Sequence, residues 1–265
     1  MSAEETFEGP VTLRREGATG TITIDRPEQR NAVNPEVVAG LRAALAAAEA
    51  DDAIRALVLT GAGDKAFCAG GDLGGMSGGD GKVAEHYKRA EIADLFRALR
   101  ASRLPVVARV NGHALAGGFG LMLACDLVVA AEEAELGTPE VNIGLWPFMI
   151  SAIIQKDVPR KVALELMLTG ARIPASEGAR WGFVNRVVPR AELDGAVAEM
   201  VEAIATKSPL IVALGKGSFY RSENQPFDSA LDHLAGMLTL ALQSEDTIEG
   251  VTAFVQKRDP QWKGR

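Results

Sequence analysis

The segment from Ala108 to Asp126 has the residue pattern of a site that binds negative charge. Its β-branched start gives way to small residues and then to an apolar run, which predicts a strand, a tight turn and a helix. Gly117 and Gly118 stand where that helix begins. Because unpaired backbone N–H groups and the positive end of the helix dipole meet there, the turn suits an oxygen that gains negative charge.

A single carboxylate, Glu140, follows Pro139 in the segment TPEVNIG. The residues after it are largely apolar, which favours partial burial and the raised pKa that a general acid or base needs near neutral pH. A solvated loop carboxylate, or a charge in the first turn of a short helix, is the alternative interpretation. An anion-binding turn together with one positioned carboxylate predicts proton transfer next to a carbonyl.

Strand and helix patterns alternate along the first two thirds of the chain and predict βαβ units. The predicted elements there are a hairpin of Val11–Arg14 and Thr21–Asp25, helices at Pro35–Ala50 (capped by Asn34) and Lys82–Ser102, and strands at Ala56–Thr60, Val106–Val110 and Leu127–Ala130. After Pro189 only helices are predicted, at Ala191–Lys207, Pro209–Arg221, Pro226–Ser244 and Thr247–Lys257.

Composition narrows the possible functions. A formal charge of −7 and a pI near 5.2 disfavour nucleic acid as a partner. No histidine or cysteine spacing suggests a metal site, and Cys68 and Cys125 are expected to be buried thiols of a reducing compartment. No apolar run is long enough to span a membrane, and the first residues do not have the pattern of a leader peptide. We therefore expect a cytoplasmic protein without a membrane partner.

Five segments in chain order carry a family resemblance. They are TITIDRPEQRNAVN, AFCAGGDL, VNGHALAGGFGL, TPEVNIGLWP and LTGARIPASEGARWGFVNRVVP. Together they resemble the crotonase superfamily, the enoyl-CoA hydratase/isomerase group, from about Gly20 to the C-terminus. The resemblance implies an α/β fold with a crotonase-like spiral β/α core over residues 1–190. It also implies a C-terminal helical trimerisation region over residues 191–265, and hence a homotrimer or a dimer of trimers.

The same resemblance implies an acyl-CoA substrate, carried as a coenzyme A thioester, with no permanently bound cofactor. The backbone N–H groups of Gly71 and Gly117 would stabilise the oxygen of a thioester enolate, and Glu140 would exchange a proton with a substrate carbon. Either glycine could instead serve only a tight turn or close packing. The residues implied to lie along the cofactor are Arg30, Ala32, Gly71, Asp72, Leu73, Gly74 and Lys257. Lys257 and Arg258 resemble a phosphate-contacting basic patch that would be offered to a neighbouring subunit, although exposed basic residues are more often only solvated.

The chain departs from the family pattern at two places. Gly120 stands where typical hydratases carry their first glutamate, which puts activation of water by two carboxylates in doubt. Space for a side chain there is expected to depend on Phe119 and Met122, and a positive φ would add strain. The second departure is the bulky segment Phe148–Ile150, where the family often continues with glycines; it is expected to shape the acyl pocket or the core.

These observations predict hydration or double-bond isomerisation of an enoyl-CoA, with isomerisation needing only one carboxylate. The alternatives are a CoA-ester-binding protein without catalysis, or another crotonase-type reaction such as decarboxylation or thioester hydrolysis. The glycine-rich segment from Gly74 to Gly81 predicts a mobile loop at the substrate entrance. Its G-x-S-x-G pattern around Ser77 lacks the preceding strand of a hydrolase elbow and is interpreted as a chance match.

Overall fold

The computed structural model describes residues 3–7, 9–72 and 81–265. The implied cofactor contacts Leu73 and Gly74 lie outside the described residues. So do the G-x-S-x-G pattern and all of the predicted entrance loop except Gly81. The strands, helices and contacts of the fold given below belong to these three ranges.

A seven-stranded sheet forms the centre of the described part of the chain. Its strands, in the order in which they pair, are β1 (Ala3–Thr6), β2 (Val11–Glu16), β3 (Thr19–Ile24), β4 (Ala56–Gly61), β6 (Val106–Val110), β8 (Leu127–Ala131) and β11 (Arg186–Val188). The pairs from β3 onwards are parallel, whereas β1, β2 and β3 pair antiparallel. The predicted hairpin and the predicted buried strand, β4, are confirmed: every residue of β4 is buried, as a parallel strand covered on both faces requires.

A smaller sheet of four short strands lies beside the larger one. Its strands, again in pairing order, are β10 (Arg172–Pro174), β9 (Glu135–Gly137), β7 (His113–Leu115) and β5 (Ala66–Cys68). The strands β5, β7 and β9 run parallel, so their carboxyl ends lie along one edge. None of these four strands was predicted from the sequence.

Helices surround the two sheets and follow them in the chain. They are α1 (Pro35–Ala50), α2 (Lys82–Ala101), α3 (Gly117–Leu123), α4 (Phe148–Asp157), α5 (Arg160–Thr169), α6 (Ala175–Arg180), α7 (Leu193–Ala205), α8 (Pro209–Ser222), α9 (Phe227–Leu242) and α10 (Glu245–Gln256). The predicted cap of α1 is confirmed, because the Asn34 side chain accepts a hydrogen bond from the Val37 N–H. The four helices predicted after Pro189 are confirmed as α7 to α10.

Two apolar cores lie on the two faces of the larger sheet. The main core packs α1, α3 and α4 with the strands, and it contains the largest buried side chains, Phe67 and Phe119 among them. On the other face, Val197 and Met200 of α7 pack against Val58 and Val129. Helix α7 therefore covers the sheet, while the exposed apolar side chains of the C-terminal region are concentrated in α8 to α10. The predicted boundary at residue 190, between the spiral β/α core and the C-terminal helical region, stays a prediction.

Asp126 joins helix α8 to the core. Its carboxylate accepts hydrogen bonds from the Val106 N–H, the Lys216 ammonium and the Tyr220 hydroxyl, each at 2.7 Å. The Lys216 side chain is only 7% exposed and also donates to two backbone carbonyls near the end of α2. Removing one charge of such a buried pair leaves the other uncompensated.

We expect Asp126→Asn to lower the free energy of unfolding by about 3 kcal/mol, because Lys216 then stays buried without its counter-charge. Urea unfolding measures this loss as a fall in the midpoint concentration. The matched control is Asp94→Asn, which removes an exposed ion pair with Arg97 and is expected to cost less than about 1 kcal/mol. Equal losses in the two variants would show that the Asp126 cluster does not anchor α8.

Candidate active site

Three loops meet at one edge of the smaller sheet and bring the predicted catalytic residues to the same region. Gly71 follows β5, Gly117 follows β7, and Glu140 follows β9. Because these strands are parallel neighbours, their following loops all begin at the carboxyl edge, where α/β sheets place their ligands. A hydrogen bond from the Ala116 N–H to the Gly137 carbonyl, 2.9 Å long, joins the second loop to the strand that precedes Glu140.

The loops carrying Gly71 and Gly117 touch through two residues with unusual backbone angles. Ala116 has φ 52° and ψ −129°, and Gly70 has φ 102°. A Cβ placed on Gly70 would lie 2.7 Å from the Ala116 Cβ, so only glycine permits this approach. As a result, a Cβ placed on Gly117 would lie only 3.6 Å from the Gly71 nitrogen.

The backbone N–H groups of Gly71 and Gly117 are both unpaired within the described part of the chain. Gly117 is the first residue of α3, so its N–H has no partner within the helix. Gly71 pairs with Val33 in an isolated parallel bridge, but the bonds of that bridge use the Gly70 carbonyl and the Asp72 N–H. Two free donors side by side are the arrangement that stabilises a developing oxyanion.

Glu140 lies in a short 3-10 helix, Pro139–Ile143, that ends at Gly144 in the left-handed conformation. Both sequence interpretations are thus partly right, since the residue is in a first helical turn and is also half-buried. Its Oε2 atom is buried and has no hydrogen-bond partner among the described residues. Burial raises the pKa of the Glu140 carboxyl above its usual range, against a smaller lowering by its own backbone N–H.

Packing against α5 holds the short helix of Glu140 in place. A Cβ on Gly170, which ends α5 in the left-handed conformation, would lie 2.7 Å from the Asn142 side chain and 2.9 Å from that of Val141. The Leu145 N–H also donates to the Glu140 carbonyl at 3.1 Å. The backbone that carries the carboxyl is therefore fixed from both sides, as a proton-transferring group requires.

The predicted cofactor contacts in the described chain divide into two groups. Arg30 and Ala32 lie on a turn that runs beside Gly71 and Asp72, joined to it by the hydrogen bonds Val33 N–H to Gly70 carbonyl and Asp72 N–H to Val33 carbonyl. Lys257, by contrast, ends α10 in the left-handed conformation, and no described hydrogen bond or ion pair connects it with that turn. The structure therefore places Arg30, Ala32, Gly71 and Asp72 next to one another, and it does not place Lys257 with them.

Arg26 is a residue of this region to which sequence reasoning assigned no role. Its guanidinium donates to the Ala32 carbonyl at 2.7 Å and to the Asp72 carboxylate at 3.0 Å, so it clamps the turn to the Gly71 loop. The carboxylate of Asp72 is thereby engaged within the protein. The only sequence signal was the position of Arg26 in the motif RPEQRNA.

Gly120 lies inside α3 against the first turn of α4. It has no positive φ, so the expected backbone strain is absent. A Cβ placed on it would lie 2.1 Å from Ile150 Cγ2 and 2.6 Å from Ile150 Cβ. Apart from the chain neighbours of Gly120, the nearest atoms belong to Ile150 and not to Met122, so the expectation for Met122 was wrong, while that for Phe119 stays a prediction. Ile150 is buried, whereas Phe148 and Met149 are exposed.

The described part of the chain offers neither a reactive cysteine nor a metal-binding cluster. Both cysteines are free and buried, as expected, and burial raises the pKa of the Cys68 thiol to about 12, so it is not a thiolate nucleophile. In residues 3–7, 9–72 and 81–265, no group of three or more acidic, histidine or cysteine side chains is arranged to hold a metal ion. In those same ranges no helix is long and apolar enough to span a membrane.

Comparison with known proteins identifies the family of the chain. Carnitinyl-CoA dehydratase of Escherichia coli K12 is 36% identical over 258 residues, which cover 96% of this chain and 98% of the relative. A crystal structure of an enoyl-CoA hydratase from Mycobacterium smegmatis superposes with a TM-score of 0.92 at 34% identity, covering 96% of this chain and 99% of that one. A hydratase structure from Bacillus anthracis gives 0.91 at 30% identity, with 97% and 100% covered. The sequence profile of the enoyl-CoA hydratase/isomerase family matches residues 14–265, so the chain belongs to that family and has its crotonase fold.

Proposed function

We propose that this protein transfers a proton on the acyl group of a coenzyme A thioester. The unpaired N–H groups of Gly71 and Gly117 stabilise the thioester oxygen as the enolate forms, and Glu140 is the acid and base. The observation that carries this proposal is that two donors and one half-buried carboxyl oxygen, all without a partner among the described residues, meet at a single sheet edge. No permanently bound cofactor takes part.

Double-bond isomerisation is the reaction best supported within this class. A single carboxylate suffices to remove a proton from one carbon and return it to another. Gly120 supplies no second titratable group, and Ile150 fills the space beside it. Hydration or dehydration, with Glu140 acting alone, is the second candidate, favoured by the dehydratase and hydratase names of the relatives.

A panel of 2-enoyl- and 3-enoyl-CoA esters in deuterated water, followed by mass spectrometry, tests the proposal. An isomerase interconverts the two series, which chromatography separates, and leaves deuterium on one carbon where Glu140 exchanges its proton with solvent before returning it. A hydratase adds the mass of deuterated water. Release of free CoA would indicate thioester hydrolysis, and loss of CO2 from an added CoA ester that carries a free carboxylate, such as methylmalonyl-CoA, would indicate decarboxylation. Esters that bind but are not isomerised, do not exchange and do not change mass would reduce the protein to a CoA-ester-binding family member and refute the proposal.

We propose that coenzyme A lies along the turn of Arg30 and Ala32 and the loop of Gly71 and Asp72. Leu73 and Gly74, which follow Asp72 in the sequence, are included in the proposed contact on the family resemblance alone. The backbone of Ala32 is held by Arg26, so the turn presents fixed backbone groups to the cofactor, while the exposed Arg30 supplies a positive charge for its phosphates. Lys257 would contact the cofactor only from a neighbouring subunit.

The exposed apolar surface of α8 to α10 supports assembly of the chain into a homotrimer or a dimer of trimers. Leu238 is 61% exposed and Phe254 85% exposed, and a largely apolar groove runs between α8 and α9. Large contiguous apolar patches mark interaction surfaces, and closed symmetry is the usual form of homo-oligomers.

Light scattering at micromolar concentration is expected to return about three or six times the 28.0 kDa mass of one chain. Leu238→Glu is expected to shift the distribution towards single chains, because a charge on this surface is costly to bury. A wild-type mass of one chain would contradict the proposed assembly.

A further inference from the structure

The contact between Gly120 and Ile150 joins α3 and α4, the helices that follow the Gly117 loop and the Glu140 segment in the chain. Gly120 is three residues after Gly117 in α3, so it lies within one helical turn of an N–H that would hold the oxyanion. Ile150 is in the first turn of α4, the helix that begins shortly after the segment of Glu140. A side chain on residue 120 would therefore point into the space that Ile150 occupies.

We propose that Ile150 determines the reaction specificity of this site, because its side chain fills the space that a proton-transferring side chain on residue 120 would need; this rests on the proposed function. The face of the site formed by α3 and α4 is then apolar at this point. A fixed water needs two to four polar partners, and the Gly120–Ile150 contact offers none. Residue 120 therefore supplies no second carboxylate to act with Glu140.

The interatomic distances predict which changes at residue 150 open this space. A Cβ on residue 120 would lie 2.1 Å from Ile150 Cγ2, 2.6 Å from its Cβ and 3.6 Å from its Cα. Contacts below about 3 Å are not tolerated between carbon atoms, whose optimal separation is about 3.5 to 4.0 Å. Alanine at position 150 keeps the conflicting Cβ, whereas glycine leaves only the Cα at an ordinary contact distance.

A double-mutant cycle of thermal stability tests the contact between Gly120 and Ile150. Gly120→Ala normally favours a helix, but here we expect it to lower Tm, and we expect Ile150→Ala to relieve little of that loss. In the Ile150→Gly background, Gly120→Ala should no longer lower Tm. A Gly120→Ala variant as stable as the wild type, or a loss that is the same in both backgrounds, would overturn the inference even if no glutamate variant folds.

Activity measurements then test the specificity. Hydration of crotonyl-CoA is expected to rise at least tenfold in the double variant Gly120→Glu with Ile150→Gly, and not in Gly120→Glu alone. The matched control pairs Gly120→Glu with Ile154→Gly, a buried residue one turn further along α4, and should give no gain. A gain in Gly120→Glu alone, or no gain in a folded double variant, would overturn the role of Ile150.

Deuterium exchange at the α-carbon of butyryl-CoA distinguishes failure of this inference from failure of the proposed function. Exchange that the wild type catalyses and Glu140→Gln abolishes supports the proton-transfer site, whatever the double variant does. Absence of exchange in the wild type would remove the proposed function, and with it the role of Ile150 in reaction specificity. Retained exchange without a gain in hydration would overturn the inference about Ile150 alone.

Discussion

Glu140→Gln is expected to lower the turnover of an enoyl-CoA by about 10²- to 10⁴-fold, the contribution typical of a general acid or base. The amide has the shape of the acid but cannot carry the proton, so binding of the CoA ester should change little. Steady-state kinetics and a binding isotherm measure the two effects separately. A variant that keeps more than about a tenth of the wild-type rate would remove Glu140 from the mechanism.

Glu135→Gln is the matched control, because Glu135 lies on β9 five residues before Glu140 and its carboxylate faces Arg172 and His113. Its turnover should stay near that of the wild type. The wild-type rate should fall on the acid side at a pH above the usual glutamate range, because burial raises the pKa of Glu140 and the base must be ionised. An acid limb in the ordinary glutamate range would contradict the burial of this group.

The raised pKa of Glu140 also has a consequence for stability. A carboxyl whose pKa is higher in the folded than in the unfolded state is ionised in the folded protein at a cost, and this cost is present above the folded pKa. The neutral amide of Glu140→Gln avoids it. We expect the free energy of unfolding of this variant at pH 7 to equal or exceed that of the wild type, so lost turnover is not lost folding.

Gly71→Pro is expected to lower turnover by about 10²- to 10³-fold, the effect of removing one oxyanion donor. Proline has no N–H, and Gly71 has no positive φ that would exclude it. Turnover of the enoyl-CoA and the Tm of the variant are the two measurements, because the loop must remain folded for the comparison.

Gly71→Ala is the control for the change in bulk, since it keeps the N–H and its Cβ would meet no atom of the described residues within 4 Å, apart from its chain neighbours. Its loss of turnover should be at least about tenfold smaller than that of Gly71→Pro. Equal losses of turnover in the two variants would mean that turnover depends on free space at residue 71 and not on the hydrogen bond from the Gly71 N–H.

The position of Ala116 helps to explain why the two donors meet. Its φ of 52° is rare for a residue with a Cβ, and such a conformation costs about 1–3 kcal/mol. The surrounding contacts maintain it, namely the hydrogen bond to the Gly137 carbonyl and the packing against Gly70. The strain is located where α3 begins, at the residue directly before Gly117.

The amino-acid sequence by itself determined the elements whose signals are local. The cap at Asn34, the apolar strand β4 and the four helices after Pro189 each depend on residues adjacent in the chain, so propensity and periodicity were sufficient. The half-burial of Glu140 was also predictable, because its apolar neighbours are adjacent in sequence. The three-residue strands of the smaller sheet were not, because so short a strand has no period to recognise.

Only the tertiary structure decided how separate segments meet. Gly70 and Ala116 touch across 46 positions of the chain, Arg26 and Asp72 pair across 46, and Ile150 fills the space beside Gly120 across 30. Nothing at Gly120 indicates which side chain from another helix will approach it, because that depends on how α3 and α4 pack. The family resemblance therefore implied that a carboxylate is missing at residue 120, and the packing of the two helices decided that an isoleucine takes its space.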